Sequence, residues 1–176
     1  MARWLHDALR QGRLQGGKAV LKNRTEYFSD IRSLWLFPFT YFLHIFEEWW
    51  ADFPAHLLRT QGVVLSQERF VGLQSFGLVL MVVGIVLSRK LRFPYQMRAI
   101  LATLVIGNSI SHVLGSVSFG GYEPGLLTSV FLWLPLGTLS LLHSWQRMNV
   151  RRLFLCAAIG LAISFAVKLF TISKSG

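Results

Sequence analysis

Long apolar runs separated by short polar connections fill the chain from residue 34 onward. Five of these runs are long enough to cross a hydrocarbon core about 30 Å thick, with some tilt or a partly polar end. They cover residues 34–50, 70–87, 100–119, 126–142 and 153–170. The pattern predicts an all-α, polytopic membrane protein in which five transmembrane helices form a bundle over residues 33–172.

The basic residues lie at alternate connections between the apolar runs. Of the 18 lysines and arginines, seven fall in residues 1–32, four in 89–98 and three in 144–152. The positive-inside rule therefore predicts a cytoplasmic N-terminus and, after five crossings, an outer C-terminus. A formal net charge of +10 would otherwise suggest a nucleic-acid partner, but none is expected in a chain with 53% hydrophobic residues and this distribution of charge.

Two segments outside the predicted spans have patterns of their own. Residues 1–32 interleave apolar and basic side chains, which predicts a basic amphipathic segment that contacts anionic membrane lipids from the cytoplasm. A partly disordered basic tail is an equally weighted alternative. The connection 52–69 predicts an interfacial helix or lid that Pro54 and Gly62 break into short pieces.

An imidazole and two carboxylates lie inside the first apolar run. His44 precedes Glu47 by three residues and Glu48 by four, so on a helix all three can face one direction. Ionisable groups inside a membrane are costly unless they have partners. The string therefore predicts a functional site that faces the interior of the bundle.

A second polar face lies on the third apolar run, where Asn108 and His112 are four residues apart. At 1.5 Å per residue, His44 lies about 18 Å above Arg32, while Asn108 and His112 lie about 15 and 21 Å above Arg98. Both runs cross from inside to outside in the predicted topology. The two clusters are therefore expected to meet in the outer half of the bilayer.

Two imidazoles and a carboxylate are suitable ligands for Zn²⁺, Fe²⁺ or Mn²⁺, and ligand type alone does not choose among these metals. We expect His44, Glu48 and His112 to hold the metal, Glu47 to act as general acid or base, and Asn108 to orient substrate or a ligand. The alternative is a polar network that ties two helices together. A metal is favoured because adjacent carboxylates repel unless one is protonated or a cation lies between them.

Three further residues are weighed as additions to this cluster. Glu123 could cover the site or donate a further ligand, but its position among Gly-Gly and Pro-Gly pairs favours a solvated turn residue. His56 could close over the site, although an interfacial histidine is the favoured interpretation. His143 is excluded because it falls at the cytoplasmic end of the fourth run, about a membrane thickness away.

The motif His44-x-x-Glu47-Glu48, followed by Asn108-x-x-x-His112 and a Pro-Gly turn, resembles the HXXEE family of small bacterial integral membrane proteins. The resemblance covers about residues 33–145. It implies that His44, Glu47 and Glu48 are the defining residues, and that the chain lies in the bacterial cytoplasmic membrane. It implies no particular activity, so the metal role is an inference from the residues themselves.

The sequence thus predicts a membrane enzyme, metal-assisted or acid/base, that acts on a lipid or other hydrophobic small molecule. One alternative is a component of a proton or divalent-cation transporter, although polar residues on both sides of the membrane midplane are few. Another is a non-catalytic assembly subunit whose basic N-terminus recruits a partner. The oligomeric state is left open.

Overall fold

The computed structural model describes residues 32–173, and every regular element in that range is a helix. Residues from Trp35 onward form one compact unit that contains six helices. These are α1 (Leu36–Trp50), α2 (Phe53–Gln61), α3 (Gln67–Lys90), α4 (Pro94–Phe119), α5 (Leu126–Arg147) and α6 (Val150–Ser173). The predicted basic segment 1–32 lies, except for its last residue, outside the described residues.

Four of these helices, α3 to α6, are long and apolar enough to cross a membrane. The all-α prediction is confirmed for the described part of the chain. The predicted span 34–50 corresponds to α1, which has 15 residues. At 1.5 Å per residue it is about 22 Å long, which is less than the thickness of a hydrocarbon core. Length and composition therefore identify four spans, one fewer than the sequence predicted.

Local sequence explains where the outer helices begin and end. The connection 52–69 contains the short helix α2, a non-helical stretch over 62–66 and the first residues of α3. Pro54 lies in the first turn of α2, where a missing N–H costs nothing, so it marks the start of this helix. Gly62 ends α2 in the left-handed region at φ +68°. Ser66 then starts α3, because its hydroxyl accepts a hydrogen bond from the backbone N–H of Arg69 at 3.2 Å.

The central helix of the bundle is α4, which packs against α3, α5 and α6, while α1 packs against α3 and α5. Glycines allow the closest of these approaches. A Cβ on Gly137 of α5 would lie 3.0 Å from the carbonyl oxygen of Ala102, and one on Gly160 of α6 would lie 2.4 Å from that of Ile100. Small residues at helix contacts are the usual basis of tight packing in membranes. They bring the polar face of α4 close to its neighbours.

The helix α5 widens near its N-terminal end. Residues Ser129–Trp133 form a π-helical turn, in which the N–H of Leu134 bonds to the carbonyl of Ser129. Pro135 follows directly, and because it has no N–H and its ring crowds the preceding turn, it disfavours regular α-helical bonding there. The wide turn buries Trp133, which is 1% exposed. Single π-helical turns are frequent at functional sites.

Packing between α4 and α6 gives a test of this architecture. In Gly160→Ala the new methyl group would lie 2.1 Å from the hydroxyl of Thr103 and 2.4 Å from a backbone oxygen, so the two helices must move apart. We expect a loss of about 1–3 kcal/mol in the free energy of unfolding, measured by thermal denaturation in detergent. Gly72→Ala is the matched control, because no heavy atom lies within 4 Å of its Cβ position. Equal stability of the two variants would contradict this packing.

Candidate metal centre

Side chains from α1 and α4 meet at one buried point. His44 and Glu48 lie one turn apart on α1, and the Nε2 atom of His44 is 3.5 Å from Oε1 of Glu48. The Nε2 atom of His112 on α4 is 3.5 Å from the same carboxylate oxygen. The three residues are 1%, 3% and 4% exposed, respectively. Together they offer three potential ligand atoms within 4.8 Å of one another, so the predicted meeting of the two helices is present.

Aromatic and backbone groups enclose the two imidazoles. The ring of Trp133 stacks on His44 with a centroid distance of 3.8 Å, and the two histidine rings meet edge to face at 4.9 Å. Gly125 packs against both rings, and a Cβ there would lie 2.7 Å from Cε1 of His44 and 2.8 Å from Cε1 of His112. Its φ of +90° also favours glycine. Trp133 was missed by sequence analysis, because an aromatic residue in an apolar run carries no distinguishing signal.

The adjacent carboxylate of Glu47 points away from the cluster, toward the N-terminus of α5. It accepts hydrogen bonds from the backbone N–H groups of Leu127 and Thr128 at 2.9 and 2.7 Å, and from the hydroxyl of Tyr122 at 2.7 Å. The unpaired N–H groups of a helix N-terminus favour an anion there. Glu47 therefore ties α1 to the start of α5. The general acid or base role expected for it stays a prediction.

Thr128 connects Glu47 to the first histidine. Its hydroxyl donates to Oε2 of Glu47 at 2.5 Å and lies 2.7 Å from Nδ1 of His44. Because the hydroxyl has one proton and gives it to Glu47, it accepts from Nδ1–H of His44. The lone pair of His44 is then on Nε2, which faces Glu48. The amide nitrogen of Asn108 lies 3.4 Å from that Nε2 atom, so Asn108 joins the cluster as the sequence expected.

The second oxygen of Glu48 is held from α3. Gln74 donates from Nε2 to Oε2 of Glu48 at 2.5 Å, and the hydroxyl of Tyr41 donates to Oε1 of Gln74 at 2.6 Å. These two bonds fix the orientation of the Gln74 amide, since its NH₂ must face the carboxylate. Sequence analysis had no signal for this role. Gln74 leaves Oε1 of Glu48 facing the imidazoles.

Glu123 is buried beside the cluster, so the favoured interpretation of a solvated turn residue was wrong. It is 6% exposed, and its Oε1 atom lies 3.7 Å from Nδ1 of His112. Burial raises the pKa of Glu123 to about 7, and the charge of Lys168 opposes this effect. The other two histidines within residues 32–173 lie elsewhere: the ring of His56 packs edge to face against Phe119, and His143 packs beside Tyr95.

Comparison with known proteins identifies the group to which this arrangement belongs. A family model described as "Protein of unknown function with HXXEE motif" matches residues 35–140, more than half of the chain. The chain belongs to the HXXEE family. The match includes α1 with its motif and α4 with Asn108 and His112, so it covers the entire cluster. No curated protein and no solved structure matches the chain.

The hydrogen bonds of Glu47 at the start of α5 predict that its charge contributes to stability. Glu47→Gln removes the charge that accepts hydrogen bonds at the start of α5, and we expect a loss of about 2 kcal/mol in the free energy of unfolding. Glu68→Gln is the control, because Glu68 is an exposed acid in the first turn of α3. Its removal should cost less than about 1 kcal/mol. Thermal denaturation of both variants would contradict a stabilising contact between Glu47 and the start of α5 if Glu47→Gln were more stable than Glu68→Gln.

Proposed function

We propose that this protein is a membrane enzyme that acts on a lipid or other hydrophobic small molecule. In this proposal His44, Glu48 and His112 hold a divalent metal, Zn²⁺, Fe²⁺ or Mn²⁺. The observation that carries the proposal is the convergence of both Nε2 atoms on one carboxylate oxygen, each at 3.5 Å. Two ligands that are each about 2.0–2.1 Å from a tetrahedral zinc ion lie about 3.3–3.4 Å apart. The two nitrogen–oxygen distances of 3.5 Å are close to that value, and all three ligand atoms lie within 4.8 Å of one another.

The number of ligands supports catalysis over a purely structural metal. Catalytic zinc sites and mononuclear iron oxygenase sites use three protein ligands, often two histidines and a carboxylate, and leave a position open for water or substrate. Two neutral imidazoles and one carboxylate leave a divalent ion with a net charge of +1, which favours an oxygen ligand that carries negative charge. A bound metal would supply Lewis-acid activation of water or of a substrate oxygen.

Glu47 and Asn108 are placed to assist such chemistry. Asn108 lies next to the metal-facing atom of His44, where its amide can orient substrate or a ligand. Glu47 is half-buried and reaches His44 through the hydroxyl of Thr128. This chain of hydrogen bonds supports a proton path between the cluster and the outer surface, with Glu47 as general acid or base.

A cavity between α4 and α6 supports a hydrophobic substrate. Its volume is about 270 Å³, and its lining combines apolar side chains, two hydroxyls and one ammonium: Gly107, Ser111, Leu161, Ser164, Phe165 and Lys168. Gly107 and Ser111 directly precede Asn108 and His112 on α4. Because successive residues on a helix point about 100° apart, the cavity lies on a neighbouring face of α4, at the level of Asn108 and His112.

We further propose that α1 is a fifth crossing and that the N-terminus is cytoplasmic, in the bacterial inner membrane. The packing of α1 against α3 and α5 supports its place in the bundle. A helix of about 22 Å can cross a membrane with local thinning of the bilayer. The cluster then lies in the outer half of the membrane.

Transport of protons or divalent cations is less well supported. Thr103, a polar residue of α4 that a transport path could use, donates its hydroxyl proton within its own helix, to the carbonyls of Ala99 and Ile100. Gln74 holds Glu48 and accepts from Tyr41. Both residues therefore have local hydrogen-bonding roles.

Elemental analysis of the detergent-purified protein tests the metal. We expect about one equivalent of zinc, iron or manganese in the wild type, and little metal in His44→Ala or His112→Ala, because each variant loses one of three ligands. His143→Ala is the matched control, because this half-buried histidine lies beside Tyr95, outside the cluster. Equal metal content in all four proteins, or none in the metal-supplemented wild type, would contradict the proposed site.

Turnover tests the reaction. Metal-loaded wild type and Glu48→Gln would each be incubated with a bacterial lipid extract, and lipid species would be followed by mass spectrometry. We expect the wild type to convert one class of lipid at least about 100-fold faster than the variant, because the variant lacks the only carboxylate ligand. If no lipid changes while vesicles show cation flux that His44→Ala abolishes, the protein is a transporter instead.

A further inference from the structure

Glu123 and the outer edge of His112 form a contact that the proposed metal ligands do not explain. The carboxylate oxygen Oε1 of Glu123 lies 3.7 Å from Nδ1 of His112, while Nε2 on the opposite edge of the ring faces Glu48. Within the described residues, Nδ1 of His112 and Oε2 of Glu123 are both buried, and neither atom meets the distance and angle of a hydrogen bond. The backbone carbonyl of Pro124, the next residue in the same loop, also lies beside the His112 ring. A buried carboxylate beside an imidazole is costly unless it accepts a proton from it.

We propose that Glu123 is a positioning residue, which keeps a proton on Nδ1 of His112 so that the Nε2 lone pair faces the metal. This inference rests on the proposed metal site. Histidines that bind metals almost always donate their other ring N–H to a carboxylate, a carbonyl or water, which fixes the tautomer and the orientation of the ring. Glu123 is the carboxylate in the required place.

The other histidine supports this assignment, because it is held in the same way. Nδ1 of His44 donates to Thr128, and Thr128 donates to Glu47. In both rings Nε2 is directed to Glu48, while Nδ1 is directed to another acid, either directly or through one hydroxyl. We therefore expect His112 to carry its proton on Nδ1, as the hydrogen bonds require for His44.

A glycine on α4 and the hydrogen bonds of the loop hold Glu123 beside the cluster. A Cβ on Gly115 would lie 1.5 Å from Oε2 of Glu123, so only a glycine leaves room for the carboxylate. The loop that carries Glu123 is fixed at both ends: Ser116 and Gly121 exchange two hydrogen bonds, and the N–H of Leu126 donates to the carbonyl of Glu123 at 3.0 Å. Glu123 therefore lies in a turn that is bonded to the end of α4 and to the start of α5.

A direct ligand role for Glu123 is disfavoured by which edge of the ring it contacts. A metal that binds Nε2 of both histidines lies on the Glu48 side of His112. Glu123 lies at the other nitrogen of the same ring. It can therefore support His112 without sharing its metal.

The experiment compares two substitutions of Glu123. Glu123→Met has a similar size but accepts no hydrogen bond, whereas Glu123→Gln keeps an acceptor oxygen and loses the charge. Gly121→Ala is the control in the same loop, because no heavy atom lies within 4 Å of its Cβ position. The measurements are the ¹⁵N NMR tautomer of His112 in the metal-free protein and the dissociation constant for Zn²⁺, by competition with a chelating dye.

We expect Glu123→Met to lose the Nδ1–H tautomer of His112 and to bind Zn²⁺ about 10- to 100-fold more weakly, as for other partners of metal-binding histidines. Glu123→Gln should keep the tautomer and lose less affinity. His44, in the same spectra, reports whether each variant is folded, since Thr128 sets its tautomer.

Two outcomes separate this inference from the proposed function. If the wild type binds Zn²⁺ and Glu123→Met changes neither the tautomer nor the affinity by more than about twofold, the positioning role is overturned and the metal site stands. If the wild type binds no metal but Glu123→Met still shifts the tautomer, Glu123 positions His112 and the metal proposal fails.

Discussion

The burial of His44, Glu48 and His112 in an apolar bundle is the constraint on which the rest of this structure depends. Removing such groups from water costs free energy unless each polar atom finds a partner. Three surrounding elements supply these partners: Gln74 on α3 donates to Glu48, Thr128 on α5 bonds to His44, and Glu123 in the loop before α5 lies 3.7 Å from His112. One potential ligand atom from each of His44, Glu48 and His112 then faces the centre of the cluster.

The two adjacent acids of the motif do different work because successive residues on a helix point about 100° apart. Glu48 faces the imidazoles, and Glu47 faces the N-terminus of α5, where backbone N–H groups donate hydrogen bonds to its carboxylate. The repulsion expected between neighbouring carboxylates is reduced by this separation. The two histidines and Glu48 therefore favour a metal by themselves. No cation between Glu47 and Glu48 is needed to offset their repulsion.

Irregular backbone packs against the cluster, whose potential ligands lie on the regular helices α1 and α4. Gly125 adopts a positive φ where the chain passes over both imidazoles, and Pro135 follows the wide turn that places Trp133 on His44. Gly115 provides the space that Glu123 occupies. Each of these features costs stability in an ordinary helix or turn. Their concentration around one buried point is typical of a site with a function.

The sequence by itself determined the helical class, the apolar spans from 70 onward and the two polar faces on α1 and α4. Hydrophobic length and the spacing of residues along a helix are local properties, so they can be read without a fold. Only the tertiary structure decided that Glu123 is buried, that Thr128 and Gln74 complete the cluster, and that Glu47 binds the start of α5. These contacts join residues 26 to 84 positions apart, and their partners are fixed by how the helices pack, which no local pattern encodes.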